Sequence, residues 1–235
     1  MRLPRAIHSW SVTPKRAVAL QRSLAGSVIS RGRVEKLRWV CGADLAFSPD
    51  GAECVAGVVL WDASRGAIAE QHVARRPVRF PYVPGLLSFR EAPAVLAAIR
   101  KLRVEPDLFM FDGQGYAHPR RFGLACHVGV WIDRPSVGCA KSVLVGTFEE
   151  PLLKRGSQSP MTHDRERVGM AVRTRDGVKP VFVSVGHRVS LEAACDVVLA
   201  CCTRYRLPEP TRLADQLVSR ERGSFSSDPN ANAAD

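Results

Sequence analysis

The sequence lacks the signatures of membrane, secreted and zinc-binding proteins. No apolar run approaches the roughly 20 residues of a membrane span, and residues 1–10 lack the apolar core of a signal peptide. The seven cysteines form no C-x-x-C pair and no zinc-binding spacing, and their number is odd. They are therefore expected to be small apolar core residues in a reducing compartment. We expect a cytoplasmic protein without membrane contact.

Several catalytic motifs are missing as well. The chain contains no Walker loop and no Gly-x-Ser-x-Gly elbow. Gly113-Gln-Gly115 begins like a dinucleotide fingerprint, but His118 stands where the third glycine belongs and the acidic partner is absent. The sequence therefore gives no support to nucleotide-cofactor enzymes or to serine hydrolases of the α/β type.

Positive charge is what the chain has in excess. Its 34 lysines and arginines outnumber 23 acidic residues, giving a net charge of +11. This balance favours a polyanionic partner, nucleic acid before membrane, although arginine is also common on solvated surfaces. With 235 residues, 46% of them hydrophobic, the chain can bury one large core. We expect one domain over residues 1–222 and, because residues 223–235 are poor in apolar groups, a disordered tail.

The apolar pattern predicts an α/β fold. Thr13 followed by Pro14 predicts the start of a basic helix. Three strands in an antiparallel meander are expected next, and then strands alternating with helices. This order resembles that of the ribonuclease-H-like fold. The predicted strands lie at residues 37–47, 54–62, 67–73, 107–111, 136–140, 168–174 and 181–185. The predicted helices lie at residues 13–27, 92–103, 121–131, 191–202 and 211–222.

Two aspartates stand beside or inside apolar strands. Asp112 ends a run of four large apolar residues, the pattern of a buried central strand, and precedes a glycine turn. Open α/β sheets place their sites at such strand ends, although a turn aspartate that bonds its own loop gives the same pattern. Asp44 interrupts another apolar strand, where a buried carboxylate needs a compensating cation unless the strand is an edge facing water. Gly42 and Ala46, on the same strand face, leave room beside it.

Glu91 has two interpretations. Ser88-Phe-Arg-Glu91 matches a capping box, in which the glutamate bonds the backbone amide of Ser88. Pro93 weakens this interpretation, because a helix starting at Ser88 would hold the proline in its second turn. A helix starting at Pro93 would instead leave Glu91 outside it, where it can point into a cleft.

Three other polar residues are less distinctive. Asp215 lies on the predicted last helix, where most aspartates are merely solvated. Lys141 either supplies positive charge to a site or ends a strand, and His187 is either a supporting residue or a buried core histidine. Carboxylates gathered from separate elements repel one another, and a divalent cation that prefers oxygen ligands resolves the repulsion. Mg²⁺ in such a cluster would activate water and stabilise a phosphoryl oxygen.

Together these segments resemble the endonuclease V family, which nicks nucleic acid next to deaminated adenine, that is, inosine. The matching motifs run in the family's order at residues 42–47, 81–91, 112–119, 138–142, 184–188 and 208–215. The resemblance covers most of the chain, from about residue 39 to residue 215, and leaves out the basic first thirty residues and the polar tail. Several long motifs in order are far more specific than a single one.

The resemblance implies a ribonuclease-H-like mixed sheet, with three antiparallel strands and then parallel strands, flanked by helices. It implies Mg²⁺-dependent hydrolysis, with Mn²⁺ as a possible substitute, at the second phosphodiester bond 3′ to deoxyinosine, leaving 3′-hydroxyl and 5′-phosphate ends. In family terms Asp44 and Asp112 would hold the metal, and Glu91 and Asp215 would complete the acidic cluster. Lys141 would face the scissile phosphate.

The resemblance also implies how the damaged base is held. Residues 81–84 (the wedge loop) would be a wedge that enters the duplex, since the prolines stiffen the loop and Tyr82 can stack where a base has left. Behind it, the flipped hypoxanthine would occupy a pocket. The implied residues that bind DNA and the lesion are Pro81, Tyr82, Val83, Pro84, Gly85, Leu87, Arg90, Gly113 and His118.

Three functions are therefore considered. The leading hypothesis is a monomeric endonuclease that acts on deoxyinosine-containing DNA and initiates its repair. The same chemistry on inosine-containing RNA is the nearer alternative, and the sequence does not discriminate between them. A non-catalytic nucleic-acid-binding module fits the charge, but it gives no reason for an aspartate inside an apolar strand or for acids in the groove.

Overall fold

One mixed sheet forms the centre of the molecule in the computed structural model, which describes residues 1–226. The strands are β1 (Trp39–Phe47), β2 (Glu53–Asp62), β3 (Ala67–Pro77), β4 (Leu108–Phe111), β5 (Ser136–Ala140), β6 (Gln158–His163), β7 (Glu166–Val172) and β8 (Val181–His187). The helices are α1 (Pro14–Ala25), α2 (Leu87–Ile99), α3 (Leu124–Ile132), α4 (Leu191–Cys201) and α5 (Glu209–Arg222). The eight strands are ordered β3-β2-β1-β4-β5-β8-β7-β6.

The strand directions confirm the predicted ribonuclease-H-like sheet. β1, β2 and β3 form an antiparallel meander, and β4 pairs parallel with both β1 and β5. Beyond β5 the sheet becomes antiparallel again through β8, β7 and β6. The sequence did not predict β6, which contains Pro160 and lies at the edge of the sheet, paired with β7 on one side and bridged on the other only at Thr162, to Thr147. An edge strand tolerates proline because one side of its backbone has no partner strand.

Helices cover both faces of the sheet, which explains why β4 is apolar throughout. All four of its residues are fully buried. Phe109 and Phe111 pack with α2 and α3 on one face, whereas Leu108 and Met110 pack with α4 on the other. A central strand covered on both faces has no polar side, so its sequence does not alternate. The prediction of a mid-sheet strand is confirmed.

The start of α2 corrects both interpretations of Glu91. The helix begins at Leu87 and holds Pro93 inside it, so Glu91 is a helical residue and neither a capping residue nor outside the helix. Ser88 does not cap; its hydroxyl is 2.8 Å from Nδ1 of His127. A proline in a helix interior costs about 3 kcal/mol. The apolar face of α2 offsets this cost, because eight of its residues, Phe89 among them, are buried.

Other helix ends follow local chemistry. Thr13 and Ser190 cap α1 and α4 as predicted, accepting bonds from the amides of Arg16 and Ala193. Helix α5 begins at Glu209, two residues before the predicted start, with a proline in its first turn.

The remaining predictions concern the cysteines, the membrane and the tail. All seven cysteines are buried and free. No helix among residues 1–226 is both long and apolar enough to cross a bilayer. Residues 223–226 form a short 3-10 helix after α5, and the rest of the expected tail, residues 227–235, lies outside the described part of the chain.

Candidate active site

The parallel pairing of β1 with β4 brings two aspartates side by side. Ala43 pairs with Phe111, so the residues that follow them, Asp44 and Asp112, are neighbours across the two strands. The amide of Asp112 donates to the carbonyl of Ala43 at 3.4 Å. Because the two aspartates occupy equivalent positions in the strand alternation, both project from the sheet face that α4 and α5 cover.

A third aspartate comes from α5, and glycine makes its approach possible. A Cβ on Gly42 would lie 2.1 Å from the carbonyl carbon of Pro210, so only glycine lets the first turn of α5 lie this close to β1. The room that the sequence predicts beside Asp44 is thus filled by helix backbone. Carboxylate oxygens of Asp44, Asp112 and Asp215 all lie within 4.8 Å of one another.

Burial and mutual repulsion oppose the ionisation of the clustered acidic side chains. Burial, followed by the charge of Asp112, raises the pKa of Asp44 from its usual 3.8 to about 7. Burial and then the charges of Asp44 and Asp112 raise the pKa of Glu91 to about 8, against a partial offset from Arg90. Glu91 therefore lies near the three aspartates although it is not one of the three whose oxygens meet.

Lys141 is the nearest positive charge. Its Nζ lies 2.5 Å from Oδ2 of Asp112 and 3.7 Å from Oδ1 of Asp215. Burial lowers the pKa of Lys141, but the hydrogen bond and charge of Asp112 outweigh that effect and raise it. The residue follows β5, and Arg206 donates to its backbone carbonyl at 3.0 Å. One ammonium group cannot balance four neighbouring carboxyl groups.

This donor set fits a divalent cation that prefers oxygen. Three carboxylates from separate elements meet at a spacing that a single ion can bridge, and a bound cation would favour the ionised form of Asp44, which burial and then the charge of Asp112 oppose. The residues that could hold the ion are Asp44, Asp112 and Asp215. The geometry thus places Asp215 beside Asp44 and Asp112, the two residues that the family resemblance implies as metal ligands.

A cavity of about 420 Å³ opens beside the acids, a size typical of small-ligand pockets. Glu91, Asp112 and Lys141 form one side of it. Most of the residues expected to bind the lesion line the rest: Tyr82, Val83, Pro84, Gly85, Leu87, Gly113 and His118. Tyr82 leaves 70% of its surface exposed at the rim.

Arg90 lies away from the cavity. Its guanidinium is 4.4 Å from the centre of the Phe47 ring and donates to the carbonyl of Gly51 at 3.3 Å. Successive helical residues point about 100° apart, so Arg90 and Glu91 project from different sides of α2. Pro81 also lies outside the cavity wall, at the exposed start of the wedge loop.

His118 faces the cavity without offering it a polar atom. Its Nε2 donates to the carbonyl of Gly85 at 2.9 Å, and its Nδ1 accepts from the amide of Arg120 at 3.1 Å. Burial, followed by the charge of Arg120, lowers the pKa of His118 to about 4. The neutral ring therefore acts as part of the cavity wall. His187 is likewise a bonded core histidine, held between Asp133 and the amide of Ile29.

Several cavity residues were not predicted from the sequence. Gln21, Leu124 and Leu144 line the cavity but resemble ordinary surface or core residues, and Gln114 lies within the motif at residues 112–119 but was not named as a site residue. The sequence offers one indication for Leu144, which follows Lys141 by only three residues. In the structure its side chain is 50% exposed.

Comparison with known proteins is consistent across sequence and structure. The family model described as Endonuclease V matches residues 22–216. Endonuclease V of Roseiflexus castenholzii is 54% identical over 219 residues, which cover 93% of this chain and 98% of that relative. The crystal structure of Endonuclease V from Streptomyces avermitilis is 44% identical, covers 96% of this chain and 99% of its own, and superposes with a TM-score of 0.89.

A more distant structure was solved with nucleic acid. It is Endonuclease V of Ciona intestinalis in complex with a 24mer DNA containing an inosine followed by a ribo-adenosine. It is 26% identical, covers 90% of this chain and 98% of its own, and has a TM-score of 0.77.

Proposed function

The chain belongs to the endonuclease V family, and on that premise we propose that it is a Mg²⁺-dependent endonuclease acting on deoxyinosine in DNA. It nicks the second phosphodiester bond 3′ to the lesion, leaves 3′-hydroxyl and 5′-phosphate ends, and so initiates repair. It works as a monomer in the cytoplasm, and Mn²⁺ substitutes for Mg²⁺.

One observation carries the proposal: three carboxylates from β1, β4 and α5 meet beside a cavity large enough for a nucleobase. A binding module has no use for such a cluster, because acids repel the phosphate backbone. The net charge of +11 supplies the attraction elsewhere on the surface.

Asp44, Asp112 and Asp215 would hold the metal ion, which when bound activates water and stabilises charge on a phosphoryl oxygen. The chain's own groups act around it. Lys141, in contact with Asp112, presents an ammonium group to a phosphate at the cavity mouth. Glu91, with its pKa near 8, has a carboxyl oxygen that can hold a proton at neutral pH.

The wedge loop and the cavity serve lesion recognition. Tyr82, exposed at the rim, can stack where the inosine leaves the duplex, and the prolines on either side of Tyr82-Val83 limit the loop's freedom. Hypoxanthine then enters the cavity, where Gly85, Leu87, Gly113 and His118 surround it. Arg90 acts outside the cavity, through α2 or on the flanking strand.

Inosine-containing RNA is the second candidate substrate. The Ciona intestinalis relative was solved in complex with a DNA in which a ribo-adenosine follows the inosine, which makes a ribonucleotide beside the lesion worth testing here. This chain is therefore to be compared on matched DNA and RNA strands.

The test is a labelled duplex with a single deoxyinosine, incubated with and without Mg²⁺, with the nick position mapped. We expect one Mg²⁺-dependent nick in wild-type reactions. Asp44→Asn should remove nicking while the duplex is still bound, and Asp196→Asn, an exposed aspartate on α4, should nick normally. Normal nicking by Asp44→Asn would contradict the assigned metal site. No Mg²⁺-dependent cleavage of any inosine substrate would favour the binding module.

A further inference from the structure

Helix α1 packs against the wedge loop. It buries Ala17 and Gln21, which lie one turn apart on one face of the helix. Ala17 belongs to an apolar cluster with Phe89 and with Phe80 and Leu86, which lie on either side of the loop in the chain. The exposed Tyr82 therefore projects from a loop whose base is covered by the N-terminal helix.

Gln21 also joins the polar contacts beneath the loop. Its Nε2 donates to the carbonyls of Gly85 and Phe122, both at 3.0 Å. Its Oε1 accepts from Nε of Arg120 at 2.6 Å. With an exposed fraction of 1% and all its polar atoms bonded, Gln21 has no group left for a ligand.

The carbonyl of Gly85 is the point on which these contacts converge. Besides Gln21, it accepts from Nε2 of His118 at 2.9 Å and from Nη2 of Arg120 at 2.6 Å. The residue has φ of +75°, and an added Cβ would lie 2.7 Å from the Arg120 guanidinium. Gly85 directly follows the wedge loop and lines the cavity, so fixing its carbonyl fixes the end of the loop and this part of the cavity wall.

We propose that Gln21 is a positioning residue that holds the wedge loop and the cavity wall in the lesion-binding conformation through Gly85 and Arg120. Helix α1, whose role the sequence leaves open, thereby becomes part of the recognition site. This inference rests on the proposed function and adds a determinant to it. It concerns binding, because the hydrogen bonds of Gln21 reach the wedge side of the cavity and none reaches the acids.

The informative substitution is Gln21→Met, which keeps the length of the side chain and removes its hydrogen bonds. The Phe122 carbonyl and Nε of Arg120 then lose their partner, and the loop gains conformations that do not bind. If about one molecule in ten retains the binding conformation, KM rises about ten-fold. The turnover number at saturating substrate should stay within about two-fold, since bound substrate selects the same conformation.

Two controls separate positioning from general instability. Gln71→Met changes an exposed glutamine on β3, and Val198→Ala creates a cavity in the buried face of α4. Both should leave KM unchanged, although Val198→Ala lowers the melting temperature. A second readout is 2-aminopurine next to deoxyinosine, whose fluorescence rises when the bases unstack. In protein titrations without Mg²⁺, Gln21→Met should need about ten-fold more protein than wild type to reach half of the fluorescence rise, with the same rise at saturation, and both controls should match wild type.

The outcomes are distinct. A raised KM, a preserved turnover number and a fluorescence titration shifted to higher protein concentration, all confined to Gln21→Met, support the inference. An unchanged KM for Gln21→Met, or an equal rise in KM for Val198→Ala, overturns the inference about Gln21. If the wild-type protein still nicks, the proposed function stands. A wild-type protein that neither nicks nor unstacks deoxyinosine DNA overturns both.

Discussion

Replacing Asp44 by asparagine should make the metal-free protein more stable while it destroys nicking. The carboxyl has a pKa near 7 in the folded protein and 3.8 as its usual value, because burial and Asp112 oppose its charge. At a pH above both values the carboxylate is ionised, and its charge destabilises the folded protein relative to the unfolded chain. The difference between the two pKa values corresponds to a loss of on the order of 4 kcal/mol in the free energy of unfolding at pH 8. This figure is an upper bound, because Asp44 is partly exposed and interacts with other acids.

The pH dependence follows from the sign of this shift. At pH 4 the carboxyl is protonated in the folded protein and about half protonated in the unfolded chain, so the asparagine variant and wild type should differ little. As pH rises to 7 the unfolded chain ionises while the folded protein keeps its proton, and wild type loses stability relative to the variant. Above pH 7 the difference should be constant. Asparagine has no proton to lose, so the variant lacks the part of the decline that comes from Asp44, whereas the part that comes from the raised pKa of Glu91 is present in both proteins.

Thermal unfolding in a chelator, from pH 4 to pH 8.5, measures the effect. A domain of this size shifts its melting temperature by roughly 2–4 °C per kcal/mol, so the upper bound of about 4 kcal/mol would make the variant melt about 8–16 °C higher than wild type at pH 8. Asp196→Asn, with its side chain in water, is the matched control. Added Mg²⁺ should raise the melting temperature of wild type more than that of the variant. An Asp44→Asn protein that is less stable than wild type at pH 8 in chelator would refute the reasoning.

Four other predictions follow from the same geometry. Calorimetry should show that Mg²⁺ binds more tightly at pH 8.5 than at pH 6.5 and releases protons on binding, because Asp44 and Glu91, whose pKa values are raised, are partly protonated at the lower pH. Equal affinity at the two pH values would contradict this. Lys141→Met should lower the single-turnover nicking rate about a hundred-fold and leave duplex binding within a few-fold, since its ammonium contacts Asp112 at the cavity. Gly42→Ala should lower the free energy of unfolding in urea by about 1–3 kcal/mol and reduce nicking, because the new methyl group displaces α5 and with it Asp215. Unchanged stability would show that α5 can move freely. Leu144→Ala should weaken binding of deoxyinosine DNA, measured by anisotropy, whereas Leu152→Ala, more exposed but outside the cavity wall, should not.

Patterns within a few residues predicted much of the secondary structure. Thr13 and Ser190 cap their helices as expected, because capping depends only on the next three amides. The fully apolar run before Asp112 indicated a strand covered on both faces, since only such a strand lacks a polar side. Where local preference competed with packing, prediction was wrong: Pro93 argued against the helix that burial of Phe89 and its neighbours stabilises.

By itself, the sequence determined the mixed sheet, the two aspartates at its centre and the motifs that carry the family resemblance. Only the tertiary structure decided which acids meet, that Lys141 contacts Asp112, that Arg90 lies outside the cavity and that Gln21 supports Gly85. Strand ends and caps depend on neighbours in the chain, whereas these contacts join residues far apart. They exist because α5 fits against Gly42 and α1 against Leu86, and the packing of distant surfaces has no local pattern.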